Sequence, residues 1–310
     1  MIRPDDIRAA YGRIAPYVRR TPILTAEAGA FGLDHAVQLK FEFMQHAGSF
    51  KPRGAFNNLL SRPVPPAGVA AASGGNHGIA VAHAARALGH RARIFVPVIS
   101  STAKIAAIRA RGADLEIDGE RYADAQAACD AYAAATDALV VHPFDAWETM
   151  AGQGTLGLEW EQQAEGKLDT LLVATGGGGL IAGIAAWFAG RVAVVSVEPE
   201  GSQCLKAALE AGGPVDVGVE SVAADSLGAR NCGPRVYEVA RQFIASAITV
   251  PDSAILQAQT RVWQDMRAAL EPGGATALAA LICGAYRPSP GERIGVLLCG
   301  ANVALETIEG

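Results

Sequence analysis

Short apolar and β-branched runs alternate with alanine-rich stretches along almost the whole chain. The apolar runs predict strands and the alanine-rich stretches predict helices. Several strands, such as LLVAT and GVLLC, are apolar without alternation, which is typical of strands buried on both faces. The pattern predicts an α/β fold with mostly parallel sheets flanked by helices. The predicted strands are Val37–Phe43, Gly68–Ala72, Arg93–Pro97, Asp114–Asp118, Leu139–His142, Thr170–Thr175, Ala193–Glu198, Ser246–Val250 and Ile294–Cys299, and the predicted helices include Gly78–Leu88, Thr102–Arg111, Tyr122–Thr136 and Ser253–Leu270.

Two breaks in this pattern suggest a division into two domains. The proline-rich segment RPVPPAG covers Arg62–Gly68, and the segment HPF covers His142–Phe144. Such breaks are typical of crossings between domains. We predict a small domain over residues 67–145, inserted into a large domain built from residues 1–66 and 146–310. A cleft between two such domains is a usual place for a cofactor.

Composition narrows the possible classes of protein. The chain has 310 residues, of which 50% are hydrophobic, and a formal net charge of -5 with both signs scattered. We therefore predict a globular protein that binds neither nucleic acid nor an anionic membrane. No apolar run is long enough to cross a bilayer. The cysteines are far apart and form no CxxC pair, which argues against a zinc site or a disulfide framework and predicts a cytoplasmic protein.

Lys51 lies in the segment HAGSFKPRGAF, after Phe50 and before Pro52. Proline favours the first turn of a helix, so the segment predicts a helix that begins near Lys51. The positive end of that helix and the nearby Arg53 would both disfavour the ammonium form of Lys51, which would make it a better nucleophile toward an aldehyde. Taken alone, a lysine is more often a solvated surface residue.

The segment ASGGNHG, residues 72–78, joins a predicted strand to a predicted helix. Its small residues predict a turn rich in backbone N–H groups at a helix N-terminus, which suits a carboxylate. Asn76 can also donate a hydrogen bond to a phenolate oxygen. An ordinary helix cap is the plain alternative for this segment alone.

The segment TGGGGLIAGIAAW, residues 175–187, follows another predicted strand and opens a helix. It is not a GxxxxGK[ST] loop, so a nucleoside triphosphatase site is not predicted. A flexible turn is the plain alternative. Four consecutive backbone N–H groups can surround a phosphate here, and they belong to Gly176, Gly177, Gly178 and Gly179.

Cys299 ends the buried strand of GVLLCGANV, residues 295–303. A thiol at a strand end can form a hydrogen bond with a ring nitrogen without adding a charge. A buried structural cysteine is the commoner case for any single cysteine.

Together, SFKPRGA, SGGNHG, GGGG and CGAN resemble the fold-type-II pyridoxal-phosphate enzymes, in the branch of the serine/threonine dehydratases and serine racemases. AGQGT (Ala151–Thr155), VEPEG (Val197–Gly201) and DSLGA (Asp225–Ala229) add to the resemblance, which covers nearly the whole chain and keeps the order of the segments. The resemblance implies a two-domain fold like that of the tryptophan synthase β-subunit, pyridoxal 5'-phosphate as the cofactor, and a homodimer.

The resemblance also implies a role for each matching residue. Lys51 would form the internal aldimine with the cofactor, and Phe50 would pack near the pyridine ring. Asn76 would bond the 3-hydroxyl oxygen, the four glycines of residues 176–179 would bind the phosphate, and Cys299 would face the pyridine nitrogen. The loop that receives the substrate carboxylate would consist of Ser73, Gly74, Asn76 and His77.

The implied reaction is the dehydration and deamination of a small-molecule β-hydroxy amino acid, such as L-serine or L-threonine. The substrate amine displaces Lys51, and the freed lysine takes the α-proton while the cofactor ring accepts the electrons. The β-hydroxyl then leaves, and the released enamine hydrolyses to a 2-oxo acid and ammonia. Because a neutral thiol holds the ring nitrogen protonated less than an aspartate would, we expect prompt elimination rather than transamination.

Three departures from the family pattern refine this picture. Gly74 stands where racemases place a second acid/base serine, so we expect little racemisation. Some relatives bind a divalent cation through positions that match Glu198, Ser202 and Cys204, where an aspartate is missing here. We therefore predict no metal site, with Glu198 and Ser202 as the remaining candidates. The chain ends shortly after CGAN, so no C-terminal regulatory domain is expected.

A few other polar and aromatic side chains are candidates for contact with the substrate or the cofactor. They are Phe144, Ser226 and Glu271. An aromatic residue after a strand, a turn-capping serine and a helix-end carboxylate are also common structural features. His142 fits a structural histidine better than a catalyst.

Four other functions remain open at this point. An amino-acid racemase and a β-replacement enzyme of the cysteine-synthase kind would share the fold. A nicotinamide-dependent oxidoreductase would use the glycine-rich loop, although GGGGLIAG lacks the GxGxxG register. A non-catalytic carrier of the cofactor would bind it without turnover.

Overall fold

The computed structural model describes residues 1–100 and 102–304. Its strands are, in chain order, β1 (Ile23–Ala26), β2 (Val37–Phe41), β3 (Val69–Ala72), β4 (Ala92–Val96), β5 (Asp114–Ile117), β6 (Leu139–Val140), β7 (Thr170–Ala174), β8 (Ala193–Pro199), β9 (Ser246–Val250) and β10 (Ile294–Leu298). Its α-helices are α1 (Pro4–Ile14), α2 (Lys51–Ser61), α3 (Asn76–Ala87), α4 (Thr102–Arg109), α5 (Tyr122–Thr136), α6 (Trp147–Gln163), α7 (Gly179–Phe188), α8 (Cys204–Ala211), α9 (Ala224–Leu227), α10 (Pro234–Phe243), α11 (Asp252–Met266) and α12 (Pro272–Ile282).

The strands form a larger and a smaller sheet. The larger sheet has the order β1-β2-β10-β7-β8-β9, and its strands run parallel except for β1, which pairs antiparallel with β2 at one edge. The smaller sheet has the order β5-β4-β3-β6 and its pairs are parallel. The predicted α/β fold with mostly parallel sheets is confirmed. Loops at the carboxyl ends of parallel strands are where open α/β sheets bind ligands.

The predicted strands are all present, with ends that shift by at most two residues. Strand β1 was not predicted, because its ILTA sequence is short and it is held by pairing with β2 at the sheet edge. Helix α3 begins at Asn76 rather than Gly78, and α11 ends at Met266 rather than Leu270. The end of α11 has a local cause: Arg267 adopts a left-handed conformation with φ of 55° and closes the last turn.

Helix α2 packs into the core of the smaller sheet. Ala55, Phe56 and Leu59 of α2 form one apolar cluster with residues that include Val69 and Ile79. The chain on both sides of the proline-rich break thus contributes to one core. The predicted domain boundaries at residues 67 and 145 stay predictions.

The cysteines are all free thiols, and Cys283 alone among them is exposed. No helix within residues 1–100 and 102–304 is both long and apolar enough to cross a membrane.

A buried group of four charges lies beneath the first turn of α2. The Arg53 guanidinium donates to Glu42 at 2.6 and 3.0 Å and to both oxygens of Glu159 at 3.1 Å. Lys40 Nζ donates to Glu159 Oε1 at 2.5 Å. All four side chains are at most 1% exposed. Because each charge is paired and hydrogen-bonded, the group fixes the start of α2 against β2 and α6 without leaving a charge unpaired in the core.

The change Arg53→Met tests this network. It leaves the Glu42 carboxylate without its cation in the core, which should lower the free energy of unfolding by about 3–5 kcal/mol. Urea denaturation followed by circular dichroism measures the loss. The control is Arg293→Met, which removes an exposed arginine that pairs with Asp169 and should change the stability far less. Equal losses in the two variants would contradict the prediction.

Candidate active site

Lys51 begins α2, and its amine lies near the ends of strands from both sheets. Lys51 Nζ donates to the carbonyl of Pro143, just beyond β6, at 2.9 Å. The backbone N–H of Phe50 donates to the carbonyl of Cys299, just beyond β10, at 3.2 Å. Burial lowers the pKa of the Lys51 amine to about 8, against the opposing attraction of the Glu271 carboxylate. A buried amine of this kind is a better nucleophile than a solvated lysine.

The predicted influence of Arg53 on Lys51 was wrong. The Arg53 side chain points into the core, where Glu42 and Glu159 neutralise its charge. Desolvation is the leading cause of the lowered pKa of Lys51, because removing an ammonium group from water disfavours its charged form.

Asn76 is held by side chains at both ends of its amide. Its Nδ2 donates to Glu271 Oε1 at 2.5 Å, and its Oδ1 accepts from Asn302 Nδ2 at 2.8 Å. Asn302 Nδ2 also donates to the carbonyl of Ala47 at 2.8 Å. The amide therefore has one orientation, with one remaining N–H available to a ligand.

The predicted carboxylate loop precedes and opens α3. The Ser73 hydroxyl accepts from the Gly75 N–H at 3.1 Å, and α3 begins at Asn76. The His77 ring is buried and lies with Nε2 2.7 Å from the carbonyl of Val141. Desolvation lowers the pKa of His77 to about 3, so the ring is neutral and donates to that carbonyl. The part of His77 that can receive a carboxylate is thus its backbone N–H at the helix N-terminus.

The four glycines form a tight turn between β7 and α7. Gly178 is the N-cap of α7 and has φ of 82°, a left-handed conformation that favours glycine. A side chain on Gly177 would collide with the ring of Phe144. The turn leaves the first N–H groups of α7 without helical partners, as a phosphate site requires.

Cys299 is buried and uncharged. Its Sγ donates to the carbonyl of Gly273 at 3.5 Å, and desolvation raises the pKa of the thiol far above its usual value. Two buried polar atoms close by have no hydrogen-bond partner among the described residues: Ser49 Oγ, whose backbone pairs with Gly300, and Glu271 Oε2.

These groups fit the expected cofactor. The lowered pKa of the Lys51 amine suits an aldehyde, and the Asn76 amide suits a ring hydroxyl. The glycine turn suits a phosphate, and the neutral Cys299 thiol suits a ring nitrogen. The unpartnered atoms of Ser49 and Glu271 are consistent with a site built for a polar ligand.

Comparison with known proteins decides the family. The sequence profile described as "Pyridoxal-phosphate dependent enzyme" matches residues 14–300. The chain belongs to the pyridoxal-phosphate-dependent enzymes. It is similar to the phenylserine dehydratase of Ralstonia pickettii, with 37% identity in an alignment that covers 97% of this chain and 94% of that protein.

Two further relatives of this pyridoxal-phosphate-dependent enzyme bear on its fold. The biosynthetic L-threonine dehydratase of Escherichia coli is 36% identical in an alignment that covers 91% of this chain but 56% of that protein. The structure of maize serine racemase superposes with a TM-score of 0.90 at 31% identity, covering 99% of this chain and 95% of that one. The predicted family, fold-type-II architecture and pyridoxal-phosphate cofactor are confirmed.

Helix α9 lies against several of the predicted site segments of this enzyme. A side chain on Gly273 would meet Ser226 Oγ, and one on Gly176 would meet the backbone of Leu227. Ser226 is therefore near Cys299, which donates to Gly273.

Two residues that follow β6 pack beside the glycine turn. His142 and Phe144 stack edge to face with ring centroids 4.9 Å apart. The Nδ1 atom of His142 accepts the N–H groups of Phe144 and Asp145 at 3.2 and 2.9 Å. His142 thus shapes this turn of the backbone, as a structural histidine does.

The two remaining metal candidates have other contacts. Both Glu198 oxygens accept N–H groups of α8, from Leu205 and Lys206, at 2.9 and 2.8 Å. Ser202 Oγ donates to the carbonyl of Leu227 at 2.9 Å. Within the described residues, no group of three or more His, Cys, Asp or Glu side chains is suited to a metal ion.

Three residues near the predicted site had no assigned role in the sequence. Asn302 belongs to the CGAN motif, which was the available signal, and it contacts Asn76. Lys104 and Asp225 form an ion pair beside Glu271. No local pattern marks Lys104, because its partners lie far along the chain.

The change Gly177→Ala tests the glycine turn. The added methyl group would collide with Phe144. Overpacking costs about 1–3 kcal/mol, so distortion of the turn should lower the cofactor affinity by about 5- to 150-fold. Titration of the apo protein with pyridoxal phosphate, followed by absorbance, measures the dissociation constant.

Two further variants control this test. Gly213→Ala places a methyl group in open space and should leave the affinity unchanged. Adding Phe144→Ala to Gly177→Ala should restore part of the affinity. An unchanged dissociation constant in Gly177→Ala would show that the turn does not hold the phosphate.

Proposed function

We propose that this chain catalyses the dehydration and deamination of a β-hydroxy amino acid, such as L-threonine or L-serine, to a 2-oxo acid and ammonia. The observation that carries the proposal is the Lys51 amine, with its pKa lowered to about 8, beside a backbone turn that suits a phosphate and an amide that suits a phenolic oxygen. The similar phenylserine and threonine dehydratases support the reaction class.

Each residue of the site has a part in this reaction. Lys51 Nζ would hold the cofactor covalently, and as a free amine it would take the α-proton of the substrate. The glycine turn binds the phosphate, and the N–H groups at the start of α3 bind the substrate carboxylate. Pyridoxal phosphate, when bound, supplies the electron sink for bond cleavage.

Cys299 favours elimination in this arrangement. Its buried thiol is neutral at physiological pH, because desolvation raises its pKa. Beside the ring nitrogen of a bound cofactor, the neutral Cys299 thiol would not hold a proton by charge, which would favour elimination over transamination. The predicted homodimer and cytoplasmic location belong to the same proposal and rest on the resemblance and on the scattered cysteines.

A panel of β-hydroxy amino acids tests the proposal. L-Serine, L-threonine, 3-phenylserine and 3-hydroxyaspartate are assayed for release of 2-oxo acid, and at least one should react. Lys51→Ala should lower turnover by about 10²–10⁴-fold or more, since it removes the acid/base group. The same variant should lose the absorption band of the covalently bound cofactor.

The control for this variant is Lys206→Ala, which removes a lysine paired with Glu210 on α8 and should retain activity. Cofactor binding without release of 2-oxo acid from any substrate would favour a carrier. Thioether formation from serine and a thiol would instead favour a β-replacement enzyme.

Racemisation should be slow in this enzyme. Gly74 has no side chain to protonate the opposite face of the α-carbon, and a side chain there would collide with Ser100 and Val96. Chiral chromatography of L-serine incubated with the holoenzyme should detect much less D-serine than pyruvate. D-Serine formation as fast as pyruvate release would contradict this prediction and support the racemase alternative.

A further inference from the structure

Lys104 links α4, beside the smaller sheet, to residues that follow strands of the larger sheet. Its side chain is 6% exposed, and its Nζ forms an ion pair with Asp225 of α9. The same Nζ lies 3.9 Å from Glu271 Oε2. A lysine is rarely buried without a paired carboxylate. Lys104 has two, Asp225 on α9 and Glu271 at the start of α12.

Glu271 connects Lys104 to Asn76, the residue expected to face the cofactor. It is the N-cap residue of α12 and is 3% exposed. Its Oε1 accepts the Asn76 amide at 2.5 Å, while Oε2, with no hydrogen bond among the described residues, faces Lys104. A carboxylate can only accept from Asn76, whereas a protonated carboxyl group can also donate. The ionised form therefore fixes which end of the amide faces Glu271.

The titratable groups around Glu271 come from four elements. They are the charged side chains of Lys104 on α4, Asp225 on α9 and Lys51 at the start of α2, and the neutral Cys299 thiol after β10. Burial raises the pKa of Glu271 to about 7, and the nearby Lys104 is the leading influence in the opposite direction. Asp225 raises this pKa and Lys51 lowers it by smaller amounts.

We propose that Lys104 is a positioning residue of the cofactor site: its ammonium group reaches from α4 to the Glu271 carboxylate, which in turn fixes the orientation of the Asn76 amide. This role of Lys104 rests on the proposed function for one premise, which is that Asn76 faces the cofactor. In this proposal, Lys104 and Asp225 act through Glu271 and not by contact with the substrate.

The sign of the pH dependence follows from these contacts. Above the pKa of about 7, Glu271 is ionised and Asn76 keeps one orientation. As the pH falls through that value, Glu271 is protonated, and the Asn76 amide loses the charged acceptor at its Nδ2 end and keeps only the hydrogen bond from Asn302 at its Oδ1 end. Without the Lys104 charge, protonation should occur at a higher pH, and without the Asp225 charge it should occur at a lower one.

The experiment is a pH titration of the cofactor absorption band in the holoenzyme, together with kcat and KM on the best substrate of the panel. In Lys104→Met, the acid-side midpoint of the band should rise by about one pH unit or more, as expected for loss of a cation near 4 Å. Lys104→Arg should restore the wild-type midpoint. Asp225→Asn, at a side chain that is 65% exposed, should move the midpoint downward.

Two further variants complete the test. Glu271→Gln should abolish the acid-side transition. Adding Lys104→Met to Glu271→Gln should leave the pH profile of that variant unchanged. Lys167→Met, at an exposed lysine paired with Glu165, is the matched control and should leave the midpoint in place. Thermal melts confirm that each variant is folded.

The outcomes separate this inference from the proposed function. Shifts of opposite sign in Lys104→Met and Asp225→Asn support it, even if no substrate of the panel reacts, because the absorption band needs no turnover. Normal dehydration with an unmoved midpoint in both variants would overturn it and leave the proposed function standing. If Lys104→Met does not fold, the direction of the Asp225→Asn shift decides.

Discussion

The first turn of α2 separates two cations, and the chemistry of the site depends on that separation. Arg53 points into the core, where Glu42 and Glu159 satisfy its guanidinium group. Lys51, two residues earlier, points to the ends of the strands and donates to a neutral carbonyl. One cation thus remains charged and holds the helix in place. The other, with no carboxylate in hydrogen-bond contact, has its pKa lowered toward the range in which an amine is a nucleophile.

The arrangement of the two sheets explains why residues so far apart in the chain meet at this amine. Parallel strands place the loops that follow them at one edge of each sheet, and residues after β6 of the smaller sheet and after β10 of the larger sheet both contact the start of α2. The bridge between Ser49 and Gly300 and the bond from Phe50 to Cys299 join the lysine segment directly to the end of β10. The glycine turn and the start of α3 then add backbone N–H groups for anions, as helix N-termini do.

Features that depend on local chain geometry were predictable from the sequence, and features that depend on distant contacts were not. The four glycines predict a turn before a helix, because glycine permits backbone conformations that other residues rarely adopt. Pro52 predicts the start of α2, because proline favours the first turn of a helix. The direction of the Arg53 side chain depends on Glu159, which is 106 residues away. Asn302 meets Asn76 across 226 residues, and Lys104 meets Asp225 across 121. Strand β1 was missed for the same reason, since it depends on pairing with β2.

Burial acts on the ionisable groups of the site in one direction, toward their uncharged forms. It lowers the pKa values of Lys51 and His77 and raises that of Cys299. The imidazole and the thiol are therefore neutral, and the Lys51 amine is brought closer to its neutral, nucleophilic form. Glu271 is pushed the same way by desolvation but has Lys104 beside it. With a pKa of about 7 the Glu271 carboxyl group titrates near neutral pH, and the side chain that it holds by a hydrogen bond is Asn76. The charge of Glu271 therefore acts on the orientation of the Asn76 amide and not on every ionisable group of the site.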